Sequence, residues 1–279
     1  MFRQRKIREK STEQYQPSDH TFVVCAYKES PYLEECVRSC LRQKTKTNVR
    51  IATSTPNMHI RRIANKYNVQ LYERDEAEHR GIAEDWNFAV SCASTPLVTI
   101  AHQDDIYGRN YSYNILKYLN LSTHTLIAFS DYAELRGDAT VTANRLLEIK
   151  RILLLPLIPK ISWKNIFIRR RILSMGSAIC CPAVTLVKEN LIMPVFENNM
   201  RSNIDWQAWE KISRQKGGFV YIPRMLMKHR IHEGSATSEL IGEKGRKEED
   251  LFMYRKFWPE KIALLIERFY QKGEESNSL

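Results

Sequence analysis

The residues best placed to do chemistry stand at the tip of one strand. His102-Gln103-Asp104-Asp105 follows directly on the β-rich run Leu97 to Ala101, so an imidazole and two carboxylates are delivered together at a strand end. Adjacent acids with an imidazole suit a hard divalent cation and, beside it, an anionic ligand. In open α/β sheets, ligands sit outside the carboxyl ends of the strands. An Asp-Asp pair is also ordinary turn chemistry, so its position carries more weight than its composition.

The elements that must present this tip follow from hydrophobic period and punctuation. Thr21 to Ala26 is a short β-rich run; Tyr32 to Gln43 repeats Leu33, Val37, Cys40 and Leu41 at helical spacing, with Ser30-Pro31 as its start signal. Strand and helix then alternate through Val49 to Thr53, Asn57 to Tyr67, Val69 to Tyr72, Gly81 to Cys92 and the strand ending at His102. This order predicts an α/β fold with a mixed, mostly parallel sheet flanked by helices.

Further on, the pattern predicts a helix over Asn110 to Leu121, a strand over Thr125 to Ser130, and its extension over Asp131 to Thr140 about a Gly137-Asp138 turn. A basic amphipathic helix over Ala143 to Leu155 is stopped by Pro156 and Pro159. Asn203 to Lys216 is helical, with Trp206, Trp209 and Ile212 inward. Two short strands, Phe219 to Ile222 and Met225 to Arg230, flank Pro223-Arg224, and helices over 238–258 and 260–272 close the chain.

Composition narrows the class. With 43 Lys and Arg against 32 Asp and Glu in 279 residues, the net charge of +11 favours anionic partners. The excess is local: Arg3, Arg5, Lys6, Arg8 and Lys10 lead the chain, and Lys150, Arg151, Lys160, Lys164 and Arg169 to Arg171 crowd its middle. Six Cys lie in or beside apolar segments without a Cys-x-x-Cys, which favours reduced thiols in a cytoplasmic protein and argues against structural zinc. No apolar run is long enough to span a bilayer. Neither a G-x-G-x-x-G after the first strand nor a P-loop explains the sheet.

Taken together the motifs resemble those of the inverting glycosyltransferases of family 2, which have the GT-A fold, over about residues 21–237. Ala26-Tyr27-Lys28-Glu29 is similar to the family's loop after the opening strand, and Asp85-Trp86-Asn87 to its Asn-Trp-Asn. His102-Gln103-Asp104-Asp105 falls where the family has D-x-D-D, Asp205-Trp206 where it carries its catalytic acid pair, and Arg230-Ile231-His232 with Ser235 where an Arg-x-His loop closes over the diphosphate. The resemblance implies residues 1–20 as a basic flexible leader, 21–237 as the catalytic domain with its nucleotide-sugar half ending at 107, and 238–279 as a helical extension.

It also implies roles. Asp205 is the general base; Asp104, Asp105 and His232 hold Mn²⁺ or Mg²⁺; Ala26, Tyr27, Glu29, Thr53, Asp85, Asn87, His102, Gln103 and Arg230 bind the donor; Trp206 lines the acceptor pocket. As the start of a helix favours an ionised carboxylate, Asp205 is expected to be charged, although capping alone also accounts for an Asp there. The chain departs from the family in two places: Ala52-Thr53-Ser54-Thr55 lacks the acid that helps hold the base, and His102 replaces the first acid of D-x-D. The Q-x-x-R-W of processive synthases is absent.

The function implied is metal-dependent transfer of one sugar from a nucleotide-diphosphate sugar to a glycan or lipid-linked acceptor. A position on the cytoplasmic face of the membrane, with peripheral contact to anionic lipid through the basic segment, goes with it. Two other readings remain open: a degenerate, non-catalytic sugar-binding scaffold, prompted by the two departures, and a basic nucleic-acid-binding protein. Against the latter stands the absence of any recognised nucleic-acid motif, and acids at 104–105 that repel phosphate.

Overall fold

Apolar runs without alternation form the interior of the sheet. In the computed structural model, which describes residues 14–75, 81–232 and 243–275, β1 (His20–Ala26), β4 (Leu97–His102) and β8 (Val184–Val187) are buried nearly throughout, as strands covered on both faces must be. Among the described residues the sheet has nine strands. Its order is β3 (Gln70–Glu73), β2 (Asn48–Thr53), β1, β4, β8, β6 (Thr125–Arg136), β9 (Gly218–Ile231) and β5 (Ile106–Tyr107), with β7 (Ala139–Val141) hairpinned onto β6 across the expected Gly137 turn.

The sheet is mixed. Strands β3, β2, β1 and β4 run parallel, as do β6 and β9, while β8 is inserted antiparallel between β4 and β6. Register places Ala26 beside Thr53 and Cys25 beside His102, so β1, β2 and β4 end together at one edge. The Asp104-Asp105 turn leaves from that edge.

Helices α1 (Leu33–Leu41), α2 (Met58–Tyr67), α3 (Ile82–Ser91), α4 (Tyr111–Leu119), α5 (Arg145–Leu154), α6 (Ile166–Arg171) and α7 (Ile204–Ser213) flank the sheet, followed by α8 (Glu243–Arg255) and α9 (Glu260–Glu275). Asparagine starts three of them. Asn57, Asn144 and Asn165 each accept a backbone N–H three residues on, at 3.0, 2.8 and 3.2 Å, which satisfies a donor the helix itself leaves open.

The two short strands expected around Pro223 are one strand of 14 residues. Pro223 brings no N–H to the ladder, and the register with β6 jumps there from Ser130–Ile222 to Asp131–Met225. A bulge absorbs the proline without ending the strand. The last residues of the expected leader are pinned: Tyr15 and Asn120 exchange two hydrogen bonds, at 2.8 and 3.1 Å. The basic residues Arg3 to Lys10, and Ser235 with most of the loop after His232, lie outside the described residues.

The C-terminal helices are joined to the element that carries Asp205. Asn203 does not cap α7 with its own side chain, which instead donates to Asp250 at 2.7 Å. The backbone N–H groups of Arg201, Ser202 and Asn203 all converge on the carboxylate of Glu249 at 2.6 to 3.0 Å, and the Ser202 hydroxyl joins them at 2.6 Å. These donors outweigh the effect of burial and hold the Glu249 pKa below its ordinary value. Glu249→Ala leaves the donors without a partner and is expected to cost about 1–3 kcal/mol, read as a lower urea midpoint. Because the native carboxylate releases its proton more readily than the unfolded one, this stabilisation is present above the ordinary glutamate range and fades as the pH falls through the lowered pKa.

Candidate active site

The turn after β4 is built to be rigid. Asp105 N–H donates to the His102 carbonyl at 3.1 Å, and Gly108 N–H to the Leu226 carbonyl at 2.8 Å, which laces the following residues onto β9. A side chain at Gly108 would place its Cβ 2.9 Å from that carbonyl oxygen, so only glycine permits the approach. Gln103 faces the other way. Its amide accepts from Tyr27 N–H and donates to Tyr27 C=O, both at 2.9 Å, and so fixes the Ala26 to Glu29 loop against the tip of β4. Lys28 in that loop has φ 53° and donates its N–H to Thr55.

The two acids of the turn have different surroundings. Asp104 Oδ2 lies 3.0 Å from His232 Nε2, with both side chains partly exposed. Asp105 is 0% exposed; its Oδ1 accepts from Arg230 N–H and from His229 Nδ1, both at 2.9 Å. It therefore does not stand beside Asp104 as a second open ligand, as the sequence suggested, but ties the end of β9 to the turn. Burial works against a charged His229, and the adjoining Asp105 carboxylate more than offsets it, so the His229 pKa is raised.

Arg230 is held on several sides. Its Nε donates to the Asp104 carbonyl at 2.9 Å and its Nη2 to Glu35 at 2.6 Å, while the guanidinium lies 4.3 Å from the centre of the Tyr32 ring. Tyr32 also meets the His232 ring at 5.0 Å. Residues of α1 thus meet the end of β9, although nearly two hundred positions separate them in the chain. His102 stacks on Trp86 at 5.0 Å with an 18° tilt, and burial lowers its pKa to about 4 against the pull of Asp104. Among the described residues its buried Nε2 has no hydrogen-bond partner.

Several expected donor contacts are occupied by the protein. Both amide atoms of Asn87 bind the backbone of Phe196, at 2.8 and 3.1 Å, and Phe196 also meets the edge of Trp86. Asp85 pairs with Arg74 at 2.7 Å, a cation that no motif in the sequence marked. Thr53 is buried and accepts from Thr55 N–H at 3.0 Å. All three side chains are therefore engaged within the protein.

Asp205 occupies the first turn of α7, half-buried, with Oδ1 accepting the Trp206 N–H at 2.6 Å and Oδ2 3.5 Å from the Ser177 hydroxyl. Burial raises its pKa from 3.8 to about 6, opposed by the Trp206 N–H, Lys150 and Ser177. The helix start was expected to favour the ionised form; desolvation opposes it and raises the pKa, although a group titrating near 6 is still charged at neutral pH. Trp206 does not line a pocket. It is 2% exposed, donates its Nε1 to the Leu173 carbonyl at 2.9 Å and packs edge-on against Tyr254 of α8, because the apolar face of α7 turns inward. Trp209 is buried, as expected.

Asp205 and the turn after β4 are linked electrostatically. The charges of Asp105 and Asp205 both act on Cys180, whose thiol burial and those charges hold well above its ordinary pKa. Lys150 of α5 acts on Asp205 and on His229. Sequence reasoning singled out neither Cys180 nor Lys150 for the site, nor Glu35, Arg74 and His229. For His229 one signal existed: it stands beside Arg230 in the same strand.

Known proteins share this arrangement at the level of family and fold. The sequence matches the profile of glycosyl transferase family 2 over residues 21–192, and no curated protein matches it. The structure is similar to S. aureus TarS 1-349 in complex with UDP-GlcNAc, with 14% identity and a TM-score of 0.61 over 89% of this chain and 70% of that one. It is also similar to the mannosyltransferase PcManGT from Pyrobaculum calidifontis in complex with GDP-Man and Mn²⁺, at 17% identity and TM-score 0.54 over 87% and 64% of the two chains. Glucosyl-3-phosphoglycerate synthase from Mycobacterium tuberculosis, in complex with Mn²⁺, UDP and phosphoglyceric acid, gives 14% identity and TM-score 0.54 over 87% and 80%. A family profile matched over more than half of the sequence, on a fold these transferases share, places the chain in glycosyl transferase family 2 as a glycosyltransferase of GT-A fold.

Proposed function

We propose that the chain is an inverting, metal-dependent, non-processive transferase. It moves one sugar from a nucleotide-diphosphate sugar to a hydroxyl of a cell-surface glycan or lipid-linked acceptor at the cytoplasmic face of a membrane. The observation that supports this best is the Asp104–His232 pair, 3.0 Å apart at the turn that follows β4, with Asp205 as a carboxylate whose charge, like that of Asp105 in the same turn, is felt at Cys180. Among the described residues no helix is long and apolar enough to cross a membrane, and contact with lipid would be peripheral.

The donor set fits a divalent ion. Among the described residues no three candidate ligands cluster, but Mg²⁺ is commonly held by one or two carboxylates plus substrate phosphates. Asp104 would supply a carboxylate, and His232 beside it an imidazole. When bound, the ion supplies Lewis-acid stabilisation of negative charge on the diphosphate. Arg230 would add a forked cation once its exposed partner Glu35 is displaced by phosphate oxygens.

Asp205 takes the proton of the acceptor hydroxyl as that oxygen attacks the anomeric carbon. Attack from the face opposite the leaving diphosphate inverts the centre. A carboxylate lifted to about 6 is a stronger base than an ordinary Asp and is still ionised at neutral pH. The Tyr27 loop, fixed by Gln103, forms the donor side with Ala26 and Glu29. Related folds carry UDP-GlcNAc in TarS and GDP-Man in PcManGT, so the nucleotide is open to a donor screen.

The test is binding of UDP, GDP, dTDP and CDP sugars with and without Mn²⁺. One donor that binds only with metal and is slowly hydrolysed supports the reading. Salt-sensitive binding to DNA with no response to nucleotides overturns it, and donor binding that never leads to hydrolysis or transfer leaves a scaffold. A pH profile adds a second check: transfer should fall about tenfold per unit below an apparent pKa near 6. The raised pKa also means that native Asp205 keeps its proton more firmly than the unfolded chain does. Its contribution therefore lowers stability as the pH rises from about 4 to about 6.

A further inference from the structure

The outer side of residues 145–171 carries a surface that the transfer chemistry does not use. α5 packs inward through Leu147 and Leu154, and Leu157 and Trp163 continue the anchor, with Trp163 Nε1 donating to the Leu157 carbonyl at 2.8 Å. Turned the other way are Ile149 (46% exposed), Ile152 (63%), Leu155 (53%), Ile158 (48%), Ile161 (91%) and Phe167 (67%). Single exposed aliphatic side chains are ordinary; six within one stretch whose helices and turns pack on one another form a patch that marks an interaction site.

The charge around the patch is almost all positive. Arg145, Lys160, Lys164 and Arg171 are exposed, and Glu148 is the one acid between Asn144 and Arg171. A second copy of the same face would set cation against cation. Aliphatic side chains rimmed by cations match an interfacial surface that lies in the headgroup layer.

We propose that this face docks on an anionic lipid bilayer, with the aliphatic side chains in the interface and the cations at the depth of the lipid phosphates. Helix α5 then works on two sides. Its inner side gives Lys150 and Arg151 to a cleft they share with Ser130, Asp131 and Tyr132, and Lys150 stands near Asp205. The surface rests on the proposed function only for the identity of the acceptor, and vesicle binding is read without any transfer.

The test is flotation of the full chain with vesicles of phosphatidylcholine alone or of phosphatidylcholine and phosphatidylglycerol in equal parts. The variant is Ile152→Glu with Phe167→Glu, both positions exposed enough that no core contact is lost. The wild-type chain should float with the anionic vesicles, less so at high salt, and about tenfold less with neutral ones. The double variant should lose about tenfold or more of that binding with an unchanged circular dichroism spectrum and Tm. Failure of the wild-type chain to float, or equal flotation of the double variant, overturns the proposal. So does a wild-type dimer in light scattering that the double variant dissolves while neither protein floats, since the face is then an interface between copies. A chain that floats but transfers no sugar would sink the proposed function and leave the docking intact.

Discussion

Asp205→Asn should bind the nucleotide sugar as the wild type does and lose transfer by ~10²- to 10⁴-fold. The substitution is isosteric, and an amide oxygen still accepts the Trp206 N–H that Asp205 accepts now, so α7 keeps its start. What disappears is the ability to take a proton. The clustered donors on Glu249 hold the same helix from outside and are untouched by the change. Donor titration by calorimetry and steady-state turnover with any acceptor found in the screen separate binding from chemistry. Near-normal turnover would remove Asp205 from its role, and a loss of donor affinity equal to the loss of turnover would assign it to binding. The low-pH limb near 6 should vanish with it, which a merely structural residue would not cause.

Asp104→Ala is expected to abolish metal-dependent donor binding. Partners outside a metal's ligand shell cost roughly 10- to 100-fold in affinity when removed, and a ligand itself should cost at least that. The variant suits the question because the turn does not depend on the lost carboxylate. Arg230 Nε is bound to the Asp104 carbonyl, and Asp105 makes the contacts that fix β9. His232 loses its partner at 3.0 Å and keeps its packing on Tyr32. A Mn²⁺ titration of donor binding reads the effect directly. If Asp104→Ala binds donor with the metal dependence of the wild type, the ion is held elsewhere or is not required. Asp105→Asn makes a useful contrast, since it should lower stability through the Asp105–His229 contact rather than act on metal affinity alone.

Much of the scaffold was legible because it is local. The strand runs, the helices α2 and α5 and the Gly137 turn are fixed by residues close in sequence, and the Asp104-Asp105 tip follows from where β4 ends. What a carboxylate does there is not local. Asp104 and Asp105 are identical neighbours, and only the return of β9 leaves one partly exposed and the other wholly buried. Trp206 misled for the same reason: its place next to Asp205 suggested the acceptor, while helical geometry turns it inward toward Leu173 and Tyr254. Asn87 and Asp85 match a family motif, yet their present partners, Phe196 and Arg74, were invisible without the fold. Pro223 divided one strand into two on paper because the sequence cannot announce the bulge that accommodates it.

The lacing of the Asp104-Asp105 turn onto β9 has an energetic meaning beyond its geometry. Asp105, His229 and Arg230 hold one another in the protein alone, through bonds of 2.9 Å that involve no substrate. A ligand arriving at this end finds a frame whose backbone entropy was surrendered when the chain folded. Its free energy of association is therefore not diminished by ordering that frame, and more of it appears as affinity. If Arg230 holds the donor as proposed, one change that remains among the described residues is the exchange of Glu35 for phosphate.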